Sequence, residues 1–209
     1  TSRLRQCEPR HHSYHQFQTS LSTCHVVAVI YCGAAAIELT RRGLQCTLIG
    51  PGPLPHPLAA STDISKAIRA AYGADEEYTE LAQLSIKRWR SWNEEFGAHL
   101  YHEVGDMFVT QAEMQPGDFE YESLRVFEER GRKFERITSA ILRERFPAWN
   151  ADRYCDGILD PEGGYVESGR VIVALIERAQ SLGMELREGA AFSCLDEGDD
   201  RVKGVVLAN

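Results

Sequence analysis

Several protein classes are excluded by what this chain lacks. No apolar run approaches the ~20 residues that a membrane-spanning helix needs, so no membrane partner is expected. Lysine and arginine are outnumbered by aspartate and glutamate, 23 to 31, leaving a net charge of -8. That balance argues against nucleic acid and anionic lipid surfaces, both of which attract basic faces. The six cysteines are scattered with no C-x-x-C pair, which removes the usual zinc spacing and supports no disulfide framework. A reduced, intracellular protein follows as the expectation. Proline is scarce outside one stretch, since four of the eight fall within 51–61. No internal repeat and no low-complexity tract is present.

What remains is a chain of 209 residues, 43% hydrophobic and 26% charged, which suits one globular domain or two small ones. Residues 1–24 carry arginine, histidine, glutamine and serine with hardly an aliphatic cluster, and read as a disordered tail. The stretch 25–52, HVVAVIYCGAAAIELTRRGLQCTLIGPG, organises the rest. Val26, Val27, Val29 and Ile30 form an apolar run of the kind that buried parallel strands show. Tyr31-Cys32-Gly33 reads as a tight turn, followed by a helix from Ala34 that stops at Gly43, and then by a second strand at 46–49. This is the opening of a nucleotide-binding βαβ unit.

The proline-rich segment 51–61 implies an extended loop. Thr62 or Asp63 is placed to cap a short helix through Ile64, Ala67 and Ile68, on which Lys66 and Arg69 would face the same way. A longer helix is expected over 75–96, with Tyr78, Leu81, Trp89, Trp92 and Phe96 on its apolar stripe and acidic residues in its first turn. Strands are expected at 101–103 and 107–110. Charge-rich helices are expected at 121–130 and 139–146, and strand pieces at 157–160 and 164–166. An amphipathic helix at 168–182 precedes strands at 184–187, 191–195 and 202–207. Tyr72 and the cysteines Cys155 and Cys194 read as core packing. The fold class implied is α/β, an incomplete Rossmann-like domain at 25–96 and 166–209 with a partial α+β substrate-binding region inserted at 97–165.

Three stretches together carry a family likeness: the βαβ opening with TRRG before its second strand, PLPHPLAASTDISKAIRAAYGADEEYTELA at 53–82, and DPEGGYVESGRVIVALIERAQSLGMELREGA at 160–190. The combination resembles the N-terminal half of FAD-dependent amine oxidases of the sarcosine oxidase and fructosyl amino acid oxidase type. The resemblance implies an FAD-dependent oxidoreductase. Such enzymes oxidise the C–N bond of a carboxylate-bearing secondary amine or amino acid, with oxygen as acceptor, in a cytoplasmic or peroxisomal setting. It also implies roles at particular positions. Ser61, Thr62 and Asp63 fall where the family's loop contacts the cofactor, and Lys66 at a basic position beside the flavin ring. Arg69 falls where the family holds the substrate carboxylate, a task that suits the forked guanidinium.

Two departures qualify that likeness. A dinucleotide turn wants three glycines in G-x-G-x-x-G, and only Gly33 is present as a phosphate-binding candidate, beside the free N–H groups of the helix start. Gly50 stands at the end of the second strand, where the family carries the acid that accepts from the ribose hydroxyls. A missing charged hydrogen bond is worth about ten- to a thousandfold in FAD affinity. The chain is therefore expected to be an N-terminal fragment that is inactive alone and binds FAD weakly. The alternative is a non-catalytic Rossmann-like binding or interaction module that pairs through an open sheet edge near 202–207.

Overall fold

The computed structural model describes residues 23–27, 30–198 and 202–208, with the side chains of 23–27 left aside. The expected tail therefore lies outside the described residues except at its last two positions, which belong to the first strand. The chain divides into two compact units. One holds the described residues up to Ile64 and those from Ser168 onward, and the other is Ser65–Glu167. The sequence set a boundary at 97. The units part at Ser65 instead, because the strand that begins at Lys66 pairs with one at Gly164–Val166.

In the first unit β1 (Thr23–Val27), β2 (Gln45–Gly50) and a later strand, β9 (Glu185–Glu188), form a parallel sheet in the order β1-β2-β9. Cys46, Thr47, Leu48 and Ile49 are all buried, the continuous burial of a strand covered on both faces. Helix α1 (Ile30–Arg41) begins earlier than the sequence suggested, so Tyr31, Cys32 and Gly33 are helical rather than a turn. Gly33, Ala36 and Ile37 make its buried face. That face packs on α5 (Ser168–Ser181), whose Val171, Ile172, Leu175, Ile176 and Ala179 are buried at helical spacing. The hairpin β10 (Ala191–Glu197) and β11 (Val202–Ala208) completes the unit as an antiparallel pair.

The second unit is antiparallel. Strand β3 (Lys66–Ile68) replaces the short helix expected there and pairs with β8 (Gly164–Val166), which also pairs with β4 (Tyr101–His102). Ile64, Ala67 and Ile68 are too few to fix a period over so short a run, and the distant partner strand decides it. A further sheet runs β5-β7-β6, with β5 (Asp106–Thr110), β6 (Glu135–Arg136) and β7 (Asp156–Asp160). Helix α2 (Glu76–Phe96) is fixed at both ends: the Asp75 side chain accepts from Tyr78 N, and Gly97 closes it with φ of 60°. Trp89 and Trp92 are buried as expected, whereas Tyr78 and Leu81 stand exposed on the outer face. Helices α3 (Phe119–Glu129) and α4 (Ser139–Arg145) match their charge-patterned segments. Among the described residues no helix is long and apolar enough to cross a membrane.

Candidate cofactor and carboxylate sites

The parallel strands of the first unit end together at the edge where open α/β sheets hold nucleotides. Gly33 does not lie in a loop at that edge. It is the fourth residue of α1, and a Cβ built there would stand 3.1 Å from Leu175 Cβ, so its bareness lets α1 and α5 approach. The structure thus explains this glycine by helix packing, and its proposed part in phosphate binding has no geometric support.

Ser61 and Thr62 are different. Both side-chain oxygens are buried and neither has a hydrogen-bond partner, a state that proteins rarely leave uncompensated. Asp63 is held by its neighbours: its carbonyl accepts from Ser168 Oγ at 2.9 Å and from Gly169 N at 3.1 Å. Its carboxylate accepts from Ile64 N at 2.8 Å. The backbone of Asp63 therefore anchors the loop to the start of α5, and its exposed side chain closes a local turn.

In the second unit Lys66 opens β3 and is exposed. The three-residue spacing that would bring Lys66 and Arg69 together on a helix separates side chains along a strand. The shared face expected from the sequence is therefore absent.

Arg69 is half-buried among aromatic rings. Its guanidinium carbon lies 5.2 Å from the Tyr72 ring centroid, 5.5 Å from Phe108 and 5.8 Å from Phe119, within the range in which ring quadrupoles attract a cation. Among the described residues it makes no hydrogen bond and no ion pair, so its forked N–H donors are unspent. Tyr72 belongs to this clamp and also packs against Tyr78, the rings tilted by 34° with 5.6 Å between centroids, rather than lying in the core. Gly73 makes the clamp possible. Its φ is +63°, and a Cβ there would stand 3.1 Å from Phe119 Cδ2, so only glycine turns the chain under that ring without strain.

Asp106 is a group that the sequence did not single out. Burial raises its carboxyl above the usual range; Arg69 draws it down, and Asp160 across the sheet pushes it up again. One of its oxygens, Oδ2, is buried without a partner. Asp160, opposite it in register, is spent: Arg132 donates to both of its oxygens at 2.8 and 2.9 Å. Arg132 also reaches Glu162 at 2.9 Å, and Glu162 in turn receives Arg90, which holds Glu103 at 2.6 Å. Asp106 opens β5, one residue before the strand expected at 107–110. Nothing in the sequence tied it, Phe108 or Phe119 to Arg69. Cys155 and Cys194, expected as buried hydrophobes, are only partly covered.

Against known proteins, the family model described as FAD dependent oxidoreductase matches residues 33–209. The human peroxisomal sarcosine oxidase is 28% identical over 155 residues, which is 74% of this chain and 38% of that protein. The monomeric sarcosine oxidase of Bacillus sp. (strain B-0618) is 24% identical over 188 residues, 88% of this chain and 47% of that protein. Among solved structures, the L-proline dehydrogenase of P. horikoshii superposes with a TM-score of 0.78 at 19% identity, covering 88% of this chain and 48% of that one. This similarity supports the α/β, Rossmann-type fold. The chain spans less than half the length of these relatives.

Proposed function

The chain belongs to the FAD dependent oxidoreductase family, and we propose that the intact protein oxidises the C–N bond of a small amine or amino acid bearing a carboxylate. Arg69 carries this reading. A guanidinium clamped by three rings with its donors unspent is a preorganised receptor for a carboxylate. Sarcosine, other N-methyl amino acids and fructosyl amino acids share that group.

The residues of the first unit fit the family's cofactor. The parallel edge, the helix that follows β1 and the orphaned hydroxyls of Ser61 and Thr62 supply what a dinucleotide's polar groups would use. FAD, when bound, would supply the oxidising capacity for the C–N bond, with oxygen as the final acceptor. The chain's own residues bind and orient. Ser61 and Thr62 hold the cofactor, Arg69 fixes the substrate by its carboxylate, and Lys66 supplies positive charge that favours developing anionic character. Asp63 keeps the loop in place through its carbonyl.

The test is a titration of FAD into the purified chain, followed by quenching of flavin emission. The expected result is saturable binding that weakens at least tenfold in Ser61→Ala/Thr62→Val. Absence of any FAD binding, or binding indifferent to both substitutions, would count against the cofactor assignment.

A further inference from the structure

The acid that a ribose-binding site wants at the end of β2 is replaced by Gly50. The neighbouring strand carries one. In the parallel register of β2 and β9, Gly50 is the Cα partner of Glu188, so the two lie about one strand spacing, ~4.8 Å, apart. Both close their strands at the same edge of the sheet. The register continues past the strand ends, because Ala190 N donates to Gly50 O at 2.8 Å. The side chain of Glu188 reaches the loop that follows β2, where its Oε1 accepts from Leu54 N at 2.7 Å. The register sets Glu188 beside Gly50, and that bond turns its carboxylate toward the loop that leaves β2, on the side of the sheet where Gly50 offers no side-chain acceptor.

Glu188 is exposed, and its second oxygen makes no hydrogen bond among the described residues. The other carboxylate of the strand contrasts with it. Glu185 lies at the opposite end of β9 and is engaged by Thr47 Oγ1 at 3.4 Å and Arg187 Nε at 2.8 Å. Leu54 N uses one acceptor site of Glu188, and the carboxylate has several. An oxygen is left to accept from a hydroxyl at the sheet edge that holds dinucleotides.

We infer that Glu188 is the ribose-binding acid of this chain, accepting from the hydroxyls of the adenosine ribose of FAD in place of a residue at position 50. This rests on the cofactor reading above, and it removes one of the two local reasons for expecting weak FAD binding. The loop at 51–55 then has a double role: it is tied down by Glu188, and it aims that carboxylate.

The test is calorimetric titration of the chain with FAD, ADP, 2′-deoxy-ADP and FMN, in the wild type and in Glu188→Gln. The amide oxygen of glutamine still accepts from Leu54 N, so the loop tie survives, and an unchanged melting temperature checks it. The expected result is that the wild type binds ADP about tenfold more tightly than 2′-deoxy-ADP. Glu188→Gln should abolish that preference, lower FAD affinity by a similar factor and leave FMN, which has no adenosine, unchanged. A wild type that binds FAD but treats ADP and 2′-deoxy-ADP alike would overturn the role of Glu188 while leaving the cofactor assignment standing. So would a Glu188→Gln chain that loses FMN and ADP equally. A wild type that binds none of the four would overturn both.

Discussion

Two arginines of the second unit look alike from a distance and differ in what they do. Arg132 sits 5.3 Å from the Phe127 ring, and Arg69 lies among the rings of Tyr72, Phe108 and Phe119. Arg132 has spent both terminal nitrogens on Asp160 and Glu162, leaving only Nε without a partner, and its side chain and that of Asp160 are 6% and 2% exposed. Arg69 has spent nothing. The first is part of the framework that fixes β7 to the segment before β6. The second is held by rings and by the nearby charge of Asp106, with no hydrogen bond made among the described residues, an arrangement that orients a cation and leaves its donors to a visitor. Aromatic clamping by itself therefore says little about function, and the state of the N–H donors separates the two.

Replacing each arginine tests that contrast most strongly. Arg132→Met leaves the Asp160 carboxylate buried without its partner, and a loss of about 3–5 kcal/mol in urea unfolding is expected. Arg69→Met removes ring contacts and the charge that draws Asp106 down, with no hydrogen bond broken, and should cost only about 1 kcal/mol. Equal losses at both positions would erase the distinction drawn between them. The Gly73 turn comes next. Gly73→Ala forces a side chain into φ +63° and against Phe119, and should cost about 1–2 kcal/mol, read from the same unfolding curves. It should also loosen Arg69, a coupling that a purely structural turn would not show. Phe108→Leu removes one ring of the clamp. A loss near 0.5–1 kcal/mol in stability is expected, and calorimetry should show weaker carboxylate binding with it.

The carboxylates beside the two arginines should respond to pH in opposite senses. Hydrogen bonding from Arg90, against the opposing effect of burial and with help from the charge of Arg132, holds Glu162 below its usual range. Its contribution is present above the unfolded value of 4.5 and is lost as pH falls through the lower folded value. Asp106 is raised, chiefly by burial. Its protonated form is the one the fold favours, so its contribution is present below the unfolded value of 3.8 and is lost as pH rises through the folded one. Glu162→Gln should flatten the acid limb of a stability–pH curve. Asp106→Asn should instead raise stability at neutral pH, by less than any change above. The same sign for both variants would contradict the pairing described.

The sequence revealed the elements that carry their own punctuation. Asp75 and Gly97 bracket α2, the spacing from Val171 to Ala179 marks α5, and the run from Cys46 to Ile49 marks a covered parallel strand. It misread the places where a remote partner decides. Lys66–Ile68 became a strand because β8 lies beside it, and Gly33 became helical because α1 starts at Ile30 and packs on Leu175. Arg69 was legible through a family stretch. Its surroundings were not, since Tyr72, Phe108, Phe119 and Asp106 come from separate segments that meet only in the folded unit. The bearing of Glu188 on Gly50 depends on strand register, which no spacing along the chain encodes.

The most direct test is whether Arg69 binds a carboxylate. Acetate is titrated into the FAD-supplemented chain by calorimetry, in the wild type and in Arg69→Met, with Arg132→Lys as a control that keeps the charge. The expected result is saturable binding in the wild type and the control, and a loss of at least tenfold in Arg69→Met. Acetate that binds Arg69→Met as well as it binds the wild type would contradict the assignment of Arg69 as the carboxylate receptor.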